Sequence, residues 1–477
     1  MSDEILHELE SDATRDAGAL FLDVTTRYLE QTRAEVVPVS TPHDASTLAI
    51  RFNEPLPRKG KPLAEVVARV ERDVIADSNK LCHPMYMGHQ VSAPVPAAVW
   101  MEMVTAAVNN STAVWEMAPT ATVIEHRVVR WLCELAGLPP ESGGTLTTGG
   151  TEATFTALLA ARAAALPDVW TEGVSANPPV LVHGENAHYA TTRAAGELGL
   201  GMKNAIAVPS RDYRMDVRAL RDTLDRLERE GRRVMAVVAT AGSTPTGSFD
   251  DLAAIGALCT ERGIWLHVDA AHGGSALYSA THAARMAGVS RASSVAWDPH
   301  KMMLMPLQAG VLLVRDERLL DVAFAQKAPY LFHGARGDER VWDQGPRSFM
   351  CSRRADALKL WVALQRYGAD GFGALYDRLC ATTRALWEEL RSRPDFETLH
   401  EPESNILCFR YVGRNADDAF NLRLRERWNR SGDGWITTTL LDGQRVLRVT
   451  LMNPRTTSEH VRRLVDGLAS LGARGQA

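Results

Sequence analysis

A lysine and an aspartate lie in neighbouring segments whose residue types suit covalent chemistry on a small molecule. Lys301 follows a short apolar run and the turn Asp-Pro-His, and apolar residues 302–305 and 310–314 come after it. Partial burial disfavours an ammonium ion, so we expect the pKa of Lys301 to fall and its amine to become nucleophilic. The alternative is a surface lysine in a turn between two strands.

Asp269 ends the apolar segment 264–269 and is followed by the small residues of Ala-Ala-His-Gly-Gly. This pattern predicts a buried strand that delivers a carboxylate at its C-terminal end, where open parallel sheets bind ligands. Pyridoxal phosphate requires a lysine to link to its aldehyde and an acid to keep its ring nitrogen protonated. Alone, Asp269 could cap a helix or a turn. Together with Lys301 it favours a pyridoxal phosphate site.

Four motifs occur in order along the chain: Gly-Gly-Thr-Glu-Ala-Thr at 149–154, His-Val-Asp-Ala-Ala-His-Gly-Gly at 267–274, Asp-Pro-His-Lys at 298–301 and Arg-Arg-Ala-Asp-Ala-Leu-Lys-Leu-Trp at 353–361. In these motifs and their spacing the chain resembles the group II pyridoxal-phosphate-dependent amino acid decarboxylases. That family includes the aromatic amino acid, glutamate, cysteine sulfinate and 2,4-diaminobutyrate decarboxylases. The resemblance implies an aminotransferase-like (fold type I) α/β fold, with a three-layer α/β/α large domain and a small C-terminal α+β domain. It also implies decarboxylation of an L-amino acid to the corresponding amine.

The stretches that follow residue 165 alternate strand and helix patterns, as in a parallel sheet covered on both faces. Residues 143–153 read as a strand, a glycine turn and a helix start, which can bind an anion through backbone N–H groups. Such a turn more often marks only a helix cap, but the resemblance assigns it to the cofactor phosphate. The predicted cofactor contacts are Gly149, Gly150, Thr151, His188, Thr244, Asp269, Ala271, His300 and Lys301, of which Lys301, His188 and Asp269 are the predicted catalytic residues.

The resemblance assigns a role to three further side chains, and each has a structural alternative. His188 matches a histidine that stacks on the pyridine ring, and it could instead only cap a helix. Arg448 matches an arginine that pairs with the substrate α-carboxylate, and it could instead be a surface arginine on an edge strand. His89, with the neighbouring Gln90, is a candidate substrate contact, and a structural histidine is equally compatible with the sequence.

A glycine-rich and charged loop runs from about residue 328 to 354. In the resembled family a mobile loop here, contributed across the dimer, carries a tyrosine that protonates the carbanion left by carbon dioxide. Matching on Asp343 and Gly345 places Trp342 at that position. An indole is not a useful proton donor, whereas a phenol with a pKa of about 10 is.

Three explanations of Trp342 remain open. Another acid, such as His188, Tyr330 or a nearby histidine, supplies the proton, which is the explanation we favour. Alternatively, the chemistry is redirected to oxidative formation of an aldehyde or to a new carbon–carbon bond. The match of the loop could also be wrong by a residue or two. A non-catalytic homologue is disfavoured, because every matched cofactor position holds a suitable residue.

Composition limits the remaining classes of function. The 477 residues suffice for two or three domains, and a net charge of −5 gives no general attraction to nucleic acid or anionic membranes. The six cysteines form no Cys-x-x-Cys pair, which indicates a reducing compartment and no structural metal. No export signal or apolar segment of about 18 residues is visible, so we expect a cytoplasmic protein without a membrane span.

The resemblance also predicts the domain organisation. Residues 1–82 are an N-terminal helical segment that wraps around a partner subunit, 83–370 the large cofactor-binding domain and 371–477 the small C-terminal domain. The expected assembly is a homodimer with both active sites at its interface. An N-terminal helix that docks on its own chain is the alternative.

Overall fold

The computed structural model describes residues 2–324, 342–413 and 416–474, without the side chains of residues 2 and 3. The chain divides into two compact units. We call Met1–His89, Ala385–Leu399 and Cys408–Ala477 the terminal unit, and Gln90–Arg384 with His400–Leu407 the central unit. The predicted segments 1–82, 83–370 and 371–477 follow chain order, whereas the terminal unit combines residues from both ends of the chain.

The helices and strands are named in chain order. The α-helices of the described residues are α1 (Ser2–Asp12), α2 (Arg15–Arg33), α3 (Ala45–Arg51), α4 (Leu63–Arg69), α5 (Pro96–Val108), α6 (Pro119–Leu135), α7 (Gly150–Ala165), α8 (Val169–Glu172), α9 (Tyr189–Glu197), α10 (Val217–Arg229), α11 (Leu252–Arg262), α12 (Arg318–Ala323), α13 (Ala357–Arg391), α14 (Asp418–Ser431) and α15 (Ser458–Arg474). The strands are β1 (Gly143–Thr147), β2 (Val180–Gly184), β3 (Ala205–Val208), β4 (Ser210–Arg211), β5 (Arg214–Met215), β6 (Val234–Thr240), β7 (Trp265–Asp269), β8 (Ser294–Trp297), β9 (Gly310–Val314), β10 (Phe396–Thr398), β11 (Ile406–Tyr411), β12 (Thr437–Leu441) and β13 (Gln444–Thr450).

The central unit is built on a seven-stranded sheet with the order β1-β9-β8-β7-β6-β2-β3. The pairs β2–β3, β2–β6, β6–β7 and β7–β8 are parallel, whereas β9 runs antiparallel to both β8 and β1. The parallel sheet predicted from the alternating stretches is confirmed for β2, β3, β6, β7 and β8. β9 is antiparallel because the chain returns from β8 without a crossover helix, which a parallel return would need. This helix-free connection, 298–309, contains Lys301.

Small side chains bring α7 close to the centre of this sheet. Ala153 and Ala157 of α7 form a buried cluster with Ala296 of β8 and Leu312 of β9. Because alanine methyl groups fill little space, the helix axis can approach the strands closely. The packing fixes the start of α7, at Gly150, beside the end of β8.

The terminal unit contains a four-stranded sheet with the order β10-β11-β13-β12. The predicted N-terminal helices correspond to α1 and α2, and the predicted closing helix corresponds to α15. The two helices predicted after Arg354 appear as one element, α13, which is interrupted at Gly368, where φ is 70°. Across the described residues, no helix has both the length and the apolar character needed to cross a bilayer.

Candidate active site

Lys301 lies in a tight turn after β8 and is paired with Asp298. Its Nζ is 3.0 Å from Oδ2 of Asp298, and its backbone N–H donates to the Asp298 carbonyl at 2.9 Å. Asp298 is 2% exposed, and its Oδ1 has no hydrogen-bond partner among the described residues. The sequence prediction considered only the burial of Lys301. It did not include this ion pair with Asp298.

Asp269 is the last residue of β7, a strand in the middle of the sheet. It is buried, and its Oδ1 accepts a hydrogen bond from the N–H of Ala271 at 3.2 Å. The Asp269 carboxylate also favours the protonated form of the nearby His188 ring by electrostatic attraction. The strand therefore delivers a carboxylate at its C-terminal end, as the sequence predicted.

His188 precedes α9 and caps it, because its Nδ1 accepts the N–H of Ala190 at 3.3 Å. Burial lowers the pKa of His188, and the nearby Asp269 carboxylate opposes this effect. The ring is consequently neutral at neutral pH, and the tautomer that accepts at Nδ1 holds its proton at Nε2. The predicted helix-capping alternative describes this contact correctly, and the same residue also lines the cavity described below.

The glycine turn at the start of α7 lies close against the Asp298–Lys301 turn. A Cβ atom on Gly150 would lie 2.8 Å from Ala271 Cβ and 3.0 Å from Asp298 Oδ2. A Cβ atom on Gly149 would lie 3.1 Å from Cε1 of His300. These positions accept no side chain without displacement of a neighbour. The first N–H groups of a helix have no acceptor within it, so the turn can bind an anion.

All the predicted cofactor contacts line one cavity of about 560 Å³ in the central unit. They come from α7, α9, the loop after β6, the end of β7 and the turn after β8. Thr148, next to the predicted phosphate turn, lines the cavity as well. Further lining residues that the sequence did not single out are Tyr189, Thr240, Gly242, His272, Asp298, Leu307 and Gln308. His272 and Asp298 lie inside the recognised motifs, so their place in these motifs could have identified them as site residues.

A second charged cluster supports the wall of this cavity. The Nζ of Lys359 is 2.5 Å from the Gln308 carbonyl oxygen, 2.5 Å from Glu102 Oε1 and 2.9 Å from Asp356 Oδ1. Lys359 is 1% exposed. Its ammonium therefore fixes the backbone at Gln308, which faces the cavity.

Trp342 packs against α6. Its ring meets that of His126 edge to face, with centroids 4.9 Å apart, and the neighbouring Asp343 accepts the N–H of Trp115 at 2.8 Å. In the described part of the chain, Trp342 is not among the residues that line the cavity. Tyr330, the other predicted proton donor in this loop, lies outside the described residues.

The two predicted substrate contacts, His89 and Arg448, belong to the terminal unit. Arg448 lies on β13, which has neighbours on both sides, and is 7% exposed. The alternative of a surface arginine on an edge strand is therefore wrong. Nε and Nη2 of Arg448 make no hydrogen bond to the described residues, and burial lowers its pKa. His89 is exposed.

Comparison with known proteins agrees with this arrangement. A family model described as the pyridoxal-dependent decarboxylase conserved domain matches residues 46–412. The chain belongs to this family. The protein is thus a pyridoxal-phosphate-dependent amino acid decarboxylase of fold type I, as the sequence motifs predicted.

Individual relatives cover most of this decarboxylase. The L-2,4-diaminobutyrate decarboxylase of Rhizobium meliloti is 35% identical over 87% of this chain and 83% of its own length. The cysteine sulfinic acid decarboxylase of Mus musculus is 36% identical over 78% of this chain and 76% of its own. Among solved structures, the glutamate decarboxylase domain of a Vibrio parahaemolyticus diaminobutyrate-pyruvate transaminase and L-2,4-diaminobutyrate decarboxylase superposes with a TM-score of 0.86 at 28% identity, covering 96% of each chain.

Proposed function

We propose that this decarboxylase acts on an L-amino acid with a short, polar or charged side chain and releases the corresponding amine and carbon dioxide. The observation that carries the proposal is the single cavity into which the separately predicted cofactor contacts converge. The names of the relatives favour the substrate class, since they include diaminobutyrate and cysteine sulfinic acid decarboxylases. The segments 88–90, 109–111 and 116–119 also look closer to diaminobutyrate- and glutamate-type members than to aromatic ones.

The cavity fits pyridoxal phosphate in charge and in shape. The side-chain-free turn at Gly149 and Gly150, with Thr151, would hold the phosphate at the start of α7. Asp269 would face the ring nitrogen, and Lys301 would bond to the aldehyde carbon. The remaining predicted contacts around the ring are His188, Thr244, Ala271 and His300.

Each of these side chains has a chemical task in the proposal. When bound, the cofactor accepts the electron pair that the departing carboxylate leaves on Cα. Asp269 keeps a proton on the ring nitrogen, because a buried carboxylate is stabilised by an adjacent positive charge. His188 holds a proton at Nε2. Among the described residues it is the candidate for delivering that proton to Cα.

Arg448 is the proposed partner of the substrate carboxylate. A buried guanidinium with unfilled N–H groups loses the hydrogen bonds it would make in water, unless a ligand supplies acceptors. A carboxylate satisfies two parallel N–H groups at once. His89 is the second proposed substrate contact.

We further propose a cytoplasmic homodimer in which segment 1–82 wraps around the partner subunit. Apolar side chains exposed in the central unit support an interface: Met103, Val104, Val108, Trp115, Met117 and Val123. These six side chains lie within residues 103–123, and large exposed apolar patches are uncommon on monomers. Sedimentation equilibrium of the wild type and of a Val108→Lys variant tests this assembly, and a monomeric wild type would contradict it.

The substrate proposal is tested by mass spectrometry of reaction products. The cofactor-loaded protein is incubated with a panel of acidic, basic, small polar and aromatic L-amino acids, with and without dioxygen. We expect one acidic, basic or small polar amino acid to lose the mass of carbon dioxide equally under both conditions. Turnover of aromatic amino acids alone would overturn the substrate class. An oxygen-dependent carbonyl product would instead show that the reaction is redirected.

A further inference from the structure

Two arginines of the terminal unit, Arg448 on β13 and Arg425 on α14, are positioned by the same short segment of chain. Nε of Arg425 donates to the carbonyl oxygen of Ile436 at 3.2 Å, and its guanidinium carbon is 5.5 Å from the centre of the Trp435 ring. Thr437, the next residue along, is the strand partner of Arg448 in the β12–β13 pair. This segment therefore links the two arginines.

His89 lies beside both arginines. Gly88, the residue before it, packs so closely on Trp435 that a Cβ atom there would lie 2.5 Å from Cδ1 and 2.9 Å from Nε1 of the indole. Burial lowers the pKa of His89, and the positive charges of Arg448 and Arg425 lower it further. The ring is therefore neutral near pH 7 and adds no third positive charge.

This cluster of side chains presents hydrogen-bond donors without acceptors. Nε and Nη2 of Arg448 and Nε1 of Trp435 are buried and make no hydrogen bond to the described residues. Among those residues Arg425 donates only to Ile436, and neither arginine forms an ion pair with a carboxylate. Buried polar groups normally have partners. Two positive charges and three donor nitrogens without a partner therefore favour an anionic ligand.

An α-carboxylate alone does not balance this cluster. It carries one negative charge and satisfies two parallel N–H groups of one guanidinium, which is the role proposed for Arg448. The charge of Arg425 and the indole N–H of Trp435 then remain for a second acceptor. A second acidic group on the same small molecule meets this need, whereas a side-chain ammonium would be repelled by Arg425.

Building on the proposed function, we propose that Arg425 determines side-chain specificity and that the substrate is an L-amino acid with an acidic side chain, either a carboxylate or a sulfinate. Arg425 binds the side-chain acid while Arg448 binds the α-carboxylate. Within the proposed class of short polar or charged amino acids, this selects the acidic members and disfavours the diamino acids. A hydrogen bond between charged groups changes affinity by a factor of about ten to a hundred.

The first test measures binding without turnover. Isothermal titration calorimetry of the full-length, cofactor-loaded protein compares succinate and glutarate with butyrate and valerate, which have the same numbers of carbon atoms but one carboxylate. We expect the dicarboxylates to bind at least about tenfold more tightly. Arg425→Gln should abolish this preference. Arg423→Gln, at an exposed arginine of the same helix, is the matched control and should retain it. An absent preference in the wild type, or its loss in both variants, would overturn the proposal.

The second test compares kcat/KM for amino acids of similar size. L-aspartate, L-glutamate and L-cysteine sulfinate represent acidic side chains, and L-asparagine, L-glutamine and L-2,4-diaminobutyrate represent the alternatives. We expect the best acidic substrate to exceed all three alternatives at least about tenfold, and Arg425→Gln to lower its kcat/KM by a similar factor, mainly through KM. The wild-type comparisons remain decisive even if Arg425→Gln folds poorly.

The same measurements separate two levels of failure. Preferred decarboxylation of diaminobutyrate, asparagine or glutamine would refute the role of Arg425 and leave the proposed function standing. Loss of carbon dioxide from none of these six amino acids, or from any other in the wider panel, would refute the proposed function itself.

Discussion

Two aspartate–lysine pairs in the central unit have the same sequence spacing and almost the same length but different surroundings. The Asp298–Lys301 distance is 3.0 Å and the Asp356–Lys359 distance 2.9 Å. Lys359 also contacts Glu102 and the carbonyl of Gln308, whereas one oxygen of Asp298 has no partner among the described residues. A buried charged group whose hydrogen bonds are all made stabilises the fold. A buried charged group with an unused hydrogen-bonding atom can still bind a reacting group.

The largest expected effect is on catalysis, from Lys301→Ala. We expect activity to fall by about 10⁴-fold or more, the upper end of what a positioned catalytic side chain supplies, because the cofactor loses its covalent link. The visible absorbance of the bound cofactor should change as well, while far-ultraviolet circular dichroism stays that of the wild type. If the variant kept both absorbance and activity, Lys301 would not hold the cofactor and would not differ from Lys359 in function.

Lys359→Met should lower the stability of the folded protein. Removing this buried ammonium breaks its ion pairs with Asp356 and Glu102, and breaking a buried pair costs about 3–5 kcal/mol in the free energy of unfolding. Urea denaturation at saturating cofactor measures the change. Lys203→Met, at an exposed lysine, is the control and should change stability by less than about 0.5 kcal/mol. An equally small effect at Lys359 would mean that its completed contacts do not stabilise the fold.

Arg448→Lys extends the comparison to an arginine with unfilled N–H groups. Lysine keeps the charge but loses the planar pair of donors, so kcat/KM should fall about 10- to 100-fold, as for loss of a charged hydrogen bond. Steady-state kinetics on the substrate found in the panel should place most of the loss in KM. Arg445→Lys on the same strand is the control. Parallel effects of the two substitutions would contradict a specific contact between Arg448 and substrate.

His267 belongs with the fully bonded groups, because its ring nitrogens contact Ser294 Oγ at 2.9 Å and Thr154 Oγ1 at 3.3 Å. Burial lowers its pKa to about 4, below the usual 6.5. The unfolded chain therefore binds the proton first, so the stability that His267 contributes is complete above pH 6.5 and is lost as the pH falls towards 4.

This predicts a loss of about 2 kcal/mol in the free energy of unfolding between pH 7 and pH 5 from this residue. His267→Asn should lack that component of the pH dependence. Urea titrations of both proteins at the two pH values measure it. Identical pH dependence in the wild type and the variant would show that His267 does not remain neutral in the folded protein.

The cofactor contacts could be predicted because they lie in short motifs at strand ends, and a parallel sheet brings those ends to one edge. The contact between Asp298 and Lys301 could not be predicted in this way. It depends on the turn after β8, and the sequence identifies the turn residues but not the direction of their side chains. The direction of β9 could not be predicted for a related reason, since an apolar run does not indicate whether a strand is parallel or antiparallel to its neighbours.

The role of Trp342 stays a prediction. A match of single residues placed it at a catalytic position, and the structure adds that its ring packs edge to face on His126 of α6. Arg448 was predicted by resemblance, whereas its burial and its unfilled N–H groups came only from the position of β13 inside its sheet. The sequence therefore located the chemically important residues better than the contacts that surround them.

The central claim is that pyridoxal phosphate is bonded to Lys301, and reduction of the wild-type holoenzyme with borohydride tests it most directly. The reduced protein is digested and its peptides are sequenced by mass spectrometry. The account predicts one cofactor mass per chain, on Lys301 in the peptide that contains Asp-Pro-His-Lys. A cofactor mass on Lys359 or on any other lysine, or on none, would contradict it.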